Sequence, residues 1–331
     1  MEKYVKELLT EKLLSEIAVL YGISKEKLYF VGGFENIIYG FDKNNESYIL
    51  RITHSSHRTL SEVKSEIDFI HYLAKNNANV STPINTVNNN LVEKLACSDG
   101  SYFIISAFTK AEGEVPSKQN ATDKMFYNYG KTIGSFHRLT KTYKVSKGIN
   151  KRYTWDQGLI ITNANKYLSK EDSVILERLN EVVNEINTIP RNKDNFGLIH
   201  TDIHMGNFLV IDDKLSVFDF DDSAYQYFIS DIAIALFYLV FMQKEEDQIP
   251  LANRLMPHFM QGYLSENKLS KVDYLKIPLF LKLRLIILYI VIFRTLDVTE
   301  NKFANFYINR YRDRIINNIP FINLEFEKYY K

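Results

Sequence analysis

The chain has 331 residues, 46% of them hydrophobic and 24% charged, close to the average for folded soluble proteins. Its 41 Lys/Arg and 40 Asp/Glu leave a formal charge of +1, so composition offers no electrostatic footprint for nucleic acid. A single cysteine, Cys97, cannot form an internal disulfide, which fits a reducing, cytoplasmic compartment. At roughly 150 residues per domain, the length predicts two domains.

The N-terminal segment carries Glu2, Glu7, Glu11 and Glu16 among its apolar residues and does not read as a secretory signal. Apolar positions at 3- and 4-residue steps predict an amphipathic helix over 4–20. Three short strands follow at 29–31, 37–41 and 48–52, with turns at Gly32-Gly33 and 42–46. Helical spacing returns over 61–75, and Pro83 marks a loop. Two more strands are expected at 91–95 and 102–108. Beyond residue 110 the pattern is mainly helical, as at 127–139 and 175–189, and it resumes from 230 to the end. Short strands at 198–199, 208–211 and 215–220 interrupt it around polar turns. The apolar runs 232–242 and 285–293 fall well short of the ~20 residues a membrane span needs, so no membrane role is expected. The organisation is α+β: a small β-rich lobe with a leading helix over 1–106, then a larger helical lobe over 107–331. A cleft between two unequal lobes is a natural ligand site.

The chemistry concentrates in Leu198-Ile-His-Thr-Asp-Ile-His-Met-Gly-Asn207 and Val217-Phe-Asp-Phe-Asp-Asp222. Asp202, Asn207 and Asp219 offer two carboxylates and an amide oxygen, a hard-oxygen set suited to Mg²⁺ rather than zinc. Mg²⁺ is usually held by one or two carboxylates together with substrate phosphates, so the set implies a nucleotide. A metal-hydrolase reading of His200-x-Asp202-x-His204 needs further ligands at motif spacing, which histidines 54, 57, 71, 137 and 258 do not supply.

The pattern H-x-D-x-x-x-x-N, followed about a dozen residues later by D-F-x-D, resembles the catalytic and metal loops of the protein-kinase-like fold. Within that fold it is most similar to the aminoglycoside phosphotransferase and choline kinase superfamily. Asp219–Asp222 followed by Asp231-Ile-Ala is similar to the bacterial homoserine-kinase-like enzymes. The resemblance implies a bilobal fold and transfer of the γ-phosphate of ATP to a hydroxyl of a small molecule. Asp202 would accept or orient the hydroxyl proton, and Asn207 and Asp219 would hold Mg²⁺. Asp231 would brace the catalytic loop, with His200 and His204 as structural support.

Val31-Gly-Gly-Phe-Glu-Asn36 resembles the family's shortened glycine-rich loop, with Gly32, Gly33 and Asn36 near the phosphates. Arg51 stands where the commonest form has a lysine that meets the α/β-phosphates, a change that is not neutral. Its ion-pair partner would be Glu66, with Glu62 as the fallback. Backbone groups at Ala107 and Phe108 would meet adenine.

Eleven residues separate Asp219 from Asp231, too few for a peptide-binding activation segment, so a small acceptor is expected. Residues 241–331 hold 14 Lys/Arg and 10 Asp/Glu, against a polycationic aminoglycoside. An amino alcohol, hydroxyamino acid or sugar remains open. Asp221 and Asp222 are candidate contacts for an ammonium group, Arg284 for a carboxylate, and Trp155 for the pocket wall. A catalytically silent regulator that binds nucleotide or a partner protein is the alternative.

Overall fold

Between Tyr29 and Thr109, short runs rich in β-branched and aromatic residues build a six-stranded antiparallel sheet. Its strands are β1 (Tyr29–Gly32), β2 (Ile37–Lys43), β3 (Glu46–His54), β4 (Pro83–Ile84), β5 (Glu93–Ala96) and β6 (Tyr102–Thr109). They run in the order β1-β2-β3-β6-β4, and β5 also pairs with β6. The computed structural model describes residues 3–117 and 121–330; Glu2 and the outer ends of the two expected lobes, Met1 and Lys331, lie outside the described residues.

Two helices, α1 (Lys3–Leu8) and α2 (Glu11–Leu20), precede the sheet where one was expected. The break falls at Thr10, whose backbone is extended and whose hydroxyl accepts the Leu13 N–H at 3.3 Å, capping α2. Leu14, Ile17 and Ala18 of α2 join Phe41, Leu50, Ile52, Phe103 and Ile105 in one buried cluster. Each such large aliphatic or aromatic side chain contributes about 1.5–3 kcal/mol on burial. Pro83 lies in a strand rather than the expected loop, because β4 is an edge strand where a missing N–H is tolerated. Helix α3 (Leu60–Lys75) starts at a capping box: Thr59 N–H donates to Glu62 Oε2 at 2.8 Å and Glu62 N–H to Thr59 Oγ1 at 3.3 Å. Its apolar positions Val63, Ile67, Ile70 and Leu73 are buried.

The chain folds as two compact units. The first is Met1–Gly113 with Tyr143–Arg152 and Ser216–Asp221. The last of these segments is held by Asn79 and Ser81: Val217 N–H donates to Asn79 O at 3.1 Å, and Ser81 N–H to Val217 O at 2.9 Å.

The second unit is Glu114–Thr142, Tyr153–Leu215 and Asp222–Lys331, and it is mainly helical. Its helices are α4 (Asp123–Thr140), α5 (Leu159–Thr162), α6 (Ala164–Tyr167), α7 (Ser173–Asn187), α8 (Ile229–Val240), α9 (Glu245–Glu266), α10 (Lys271–Tyr274), α11 (Ile277–Thr295) and α12 (Lys302–Ile316). Strands β7 (Phe196–Ile199) and β8 (Phe208–Ile211) flank the polar loop, and β9 (Lys214–Val217) leads out of the unit. Strand β10 (Ala224–Tyr227) pairs antiparallel with β7, Ala224 opposite Ile199.

Helices α4 and α9 meet backbone to backbone. A Cβ at Gly130 would stand 1.8 Å from Phe259 O, and one at Gly262 1.8 Å from Tyr127 O, so only glycine permits this approach. The apolar runs expected as core helices are α8 and α11, both largely buried. Among the described residues no helix is long and apolar enough to cross a membrane.

Candidate active site

Strand β7 ends at Ile199 and delivers His200, Thr201 and Asp202 in the second unit. Thr201 has φ +63, a left-handed backbone rare for a β-branched residue and costing on the order of 1–3 kcal/mol. Two bonds hold it there: its N–H donates to Asp231 Oδ1 at 2.9 Å, and its hydroxyl to Asp222 O at 2.6 Å. Asp231, buried on α8, also accepts His200 N–H at 3.3 Å and faces His137 Nε2 at 3.1 Å through Oδ2. From α4, the Tyr129 hydroxyl donates to Ile203 O at 2.5 Å. Buried polar groups on two helices thus fix the backbone on either side of Asp202.

Both Asp202 oxygens are engaged. The Arg284 guanidinium of α11 donates to Oδ1, while Asn207 Nδ2 lies 3.1 Å and His204 Nε2 3.4 Å from Oδ2. His204 Nδ1 accepts the Gly206 N–H at 2.9 Å, which assigns the ring proton to Nε2 facing the carboxylate. Burial by itself would raise the Asp202 carboxyl; Arg284, His204 and His200 override it and hold the group below the usual carboxylate range. Arg284 Nη2 also donates to the Tyr238 hydroxyl at 2.5 Å, with the guanidinium 4.9 Å over that ring. Burial, opposed by Arg284 and assisted by Asp202, pushes the Tyr238 phenol up to about 12.

Asn207 spends its amide nitrogen on Asp202, donating to the backbone O at 2.9 Å and to Oδ2. That fixes the amide orientation and leaves Oδ1 as an oxygen donor, the ligand type a hard divalent cation requires. Asp222 has its carboxylate close enough to raise both Arg284 and Tyr238 electrostatically. Trp155 is buried in a 3₁₀ turn, its indole N–H without a hydrogen-bond partner among the described residues.

In the first unit Asp219 has φ +64, a second non-glycine residue in the left-handed region of these loops. Arg51 on β3 and Glu66 on α3 form a two-pronged ion pair at 2.8 and 2.6 Å, with Arg51 4% and Glu66 0% exposed. Glu62, the fallback partner, is occupied by the helix cap instead. Burial opposes the Arg51 charge, but Glu66, then Asp221 and Asp219, raise its pKa further. Arg51 retains three N–H groups beyond the two given to Glu66, and its Nε has no partner among the described residues.

The glycine-rich turn is built as the sequence required: Gly32 and Gly33 have φ +149 and +132, and a Cβ at Gly33 would lie 1.9 Å from Asn36 O. Asn36 Oδ1 accepts the Thr53 hydroxyl at 2.6 Å, leaving its amide NH₂ as the group it can offer.

Three expectations meet a different arrangement. Asp221 is fully committed within its unit: Oδ2 lies 2.6 Å from His57 Nε2, Oδ1 accepts Arg58 Nε at 3.2 Å, and its backbone O accepts from Arg152. Arg58, His57 and Arg51 outweigh burial and hold its carboxyl well below the ordinary range. Buried and paired within its own unit, the carboxylate is poorly placed to meet a substrate ammonium. Ala107 and Phe108 lie between β3 and β4, paired with Leu50 and Ile49 on one side and Ile84 and Pro83 on the other. Their backbone groups therefore face strands, and the chain leaves the sheet only at Lys110–Glu112. Arg284 is drawn to Asp202, which a substrate carboxylate would have to outcompete.

Tyr238, His57, Arg58 and Arg152 were not anticipated. Tyr238 had one signal, a hydroxyl within an otherwise apolar run. Glu35, His57 and Asp221 bring three potential metal-ligand atoms within 4.8 Å of one another, but the Arg58 guanidinium already occupies Asp221, and the cluster acts as a polar brace.

A family model described as "Phosphotransferase enzyme family" matches residues 29–264, and the chain belongs to that family. It is a small-molecule kinase. The amicoumacin kinase of Bacillus subtilis (strain 168) is 33% identical over 290 residues, covering 87% of this chain and 86% of that protein. Among solved structures, an amicoumacin kinase in complex with AMP-PNP, Ca²⁺ and Ami superposes with a TM-score of 0.91 at 29% identity, over 99% of each chain. A microcompartment-associated aminopropanol kinase shares the fold at a TM-score of 0.72 and 19% identity, over 92% of this chain and 98% of that one.

Proposed function

We propose that the enzyme transfers the γ-phosphate of ATP, with Mg²⁺, to a hydroxyl of a small amine-bearing acceptor of the amicoumacin type. The observation that carries the reading is Asp202. It is held as a carboxylate on a loop fixed by two helices, beside an Asn207 amide oriented to present its oxygen. The 33% identity to an amicoumacin kinase supports the acceptor class.

The acceptor hydroxyl hydrogen-bonds to Asp202, and its oxygen attacks the γ-phosphorus. The bond from the γ-phosphorus to the β,γ-bridging oxygen breaks, ADP leaves, and the hydroxyl proton passes to Asp202 as the new P–O bond forms. A carboxyl held this acidic takes the proton late, so its first task is to orient the nucleophile. Asn207 and Asp219 each supply an oxygen ligand to the cation, which when bound neutralises charge on the nucleotide phosphates. Arg51, fixed by Glu66, and the amides of the Gly32-Gly33 turn with Asn36 contact the phosphates, and the backbone of 110–112 meets adenine. Asp222 pairs with the acceptor's ammonium. Asp231, His200 and His204 hold the loop. The lone buried Cys97 and the need for ATP fit a cytoplasmic location.

ADP release from Mg²⁺·ATP, measured across amicoumacin, amino alcohols, hydroxyamino acids, sugars and aminoglycosides, tests the proposal. Acceptor-dependent release with amicoumacin is expected. Release with another class alone would replace the acceptor assignment, and no ATP binding would sink the whole reading.

A further inference from the structure

A kinase that activates a hydroxyl must avoid activating water, since both present an O–H to the same carboxylate. In this chain both oxygens of the carboxylate are already engaged. Arg284 Nη2 holds Asp202 Oδ1, while Asn207 and His204 lie on Oδ2, so each Asp202 oxygen already has a donor before any acceptor binds. Arg284 is itself held by the Tyr238 hydroxyl at 2.5 Å, and Tyr238 packs on His204 with ring centres 4.4 Å apart. The arginine has a second anion in range, because Asp222 also acts on it electrostatically.

We propose that the Arg284–Tyr238 pair is a guard on Asp202 that discriminates acceptor from water. A water molecule forms too few contacts to displace this charge-assisted hydrogen bond. An acceptor that brings its own ammonium to Asp222 and its hydroxyl to Asp202 offsets the loss, and Arg284 withdraws along Tyr238. Without the guard, water would take the acceptor's place: its oxygen attacks the γ-phosphorus, the bond to the bridging oxygen breaks, its proton passes to Asp202, and ADP and inorganic phosphate leave. Arg284 acts through Asp202 and is a positioning residue for the reaction. The inference rests on Asp202 being the group that activates the attacking oxygen.

The test is phosphate release from Mg²⁺·ATP with no acceptor present, set beside amicoumacin-dependent ADP release. Arg284→Met keeps side-chain length and apolar packing but removes the guard. It is expected to raise acceptor-independent phosphate release at least tenfold and to raise the ratio of hydrolysis to transfer by more. A merely structural arginine would lower both activities together. In Asp202→Asn/Arg284→Met the hydrolysis should return to the wild-type background. Tyr238→Phe, which removes the hydroxyl but keeps the ring, should raise hydrolysis a few-fold and covers the case that Arg284→Met does not fold. Unchanged or reduced hydrolysis in the folded variants would overturn the proposal, as would a rise that survives loss of Asp202. Failure of the kinase reading itself would show separately, as absence of acceptor-dependent ADP release in the wild type.

Discussion

Removing Glu66 strands a charge in the core of the first unit. Arg51 is 4% exposed, and both of its bonds to Glu66, at 2.8 and 2.6 Å, are charge-assisted. In Glu66→Ala the guanidinium remains cationic and loses both of those bonds in a site almost closed to solvent. Two charged hydrogen bonds at about 1.5–3 kcal/mol each agree with the ~3–5 kcal/mol typical of breaking one side of a buried pair. For a unit of this size that corresponds to a fall in Tm of about 6–20 °C, at roughly 2–4 °C per kcal/mol. The double variant Arg51→Met/Glu66→Leu removes both charges and fills similar volume, so it should recover most of the loss, within about 1–2 kcal/mol of wild type. Thermal unfolding of the four proteins completes the cycle. A Glu66→Ala loss under about 1 kcal/mol, or a double variant no more stable than the single, would refute the argument. On the proposed contact of Arg51 with the phosphates, the rescued double variant should still bind ATP more weakly.

Asp231→Ala leaves two backbone N–H groups and the His137 ring without their acceptor, at about 1–3 kcal/mol for each buried group. It should cost kcat about 10²-fold while ATP affinity, read by nucleotide titration, changes far less; equal losses in both would contradict a role confined to the catalytic loop. His137 gives the pH dependence. Burial, partly offset by Asp231, lowers its pKa below the ordinary histidine value, so the folded state stays neutral where the unfolded chain takes up a proton. Its contribution is complete above pH ~6.5 and is lost as pH falls from there. Urea midpoints should drop between pH 7.5 and 5.5, less steeply in His137→Gln, and an identical slope in the variant would reverse the sign argument.

The loops carrying Asp202, Asn207 and Asp219 could be picked out in the sequence as a candidate site because hard-oxygen residue types recur there at short spacing. Asp202 and Asn207 lie five residues apart and share a hydrogen bond. Gly33 could be assigned to a turn because no other residue fits there. Long-range partners left no such trace. His57 and Arg58 reach Asp221 across more than 160 residues, and nothing in the local pattern of a turn after β3 signals that distance. Strand β10 pairs with β7 about 25 residues earlier, so its identity depends on tertiary pairing rather than on its own four residues. The break between the two helices at Thr10 is a capping choice hidden inside a continuous apolar period.

The most direct test compares wild type with Asp202→Asn, which keeps the side-chain shape and removes the charge. Acceptor-dependent ADP release and binding of a non-hydrolysable ATP analogue are measured on the same preparations. The account predicts a loss of about 10²–10⁴-fold in transfer with analogue affinity nearly unchanged. Wild-type transfer by Asp202→Asn would contradict it.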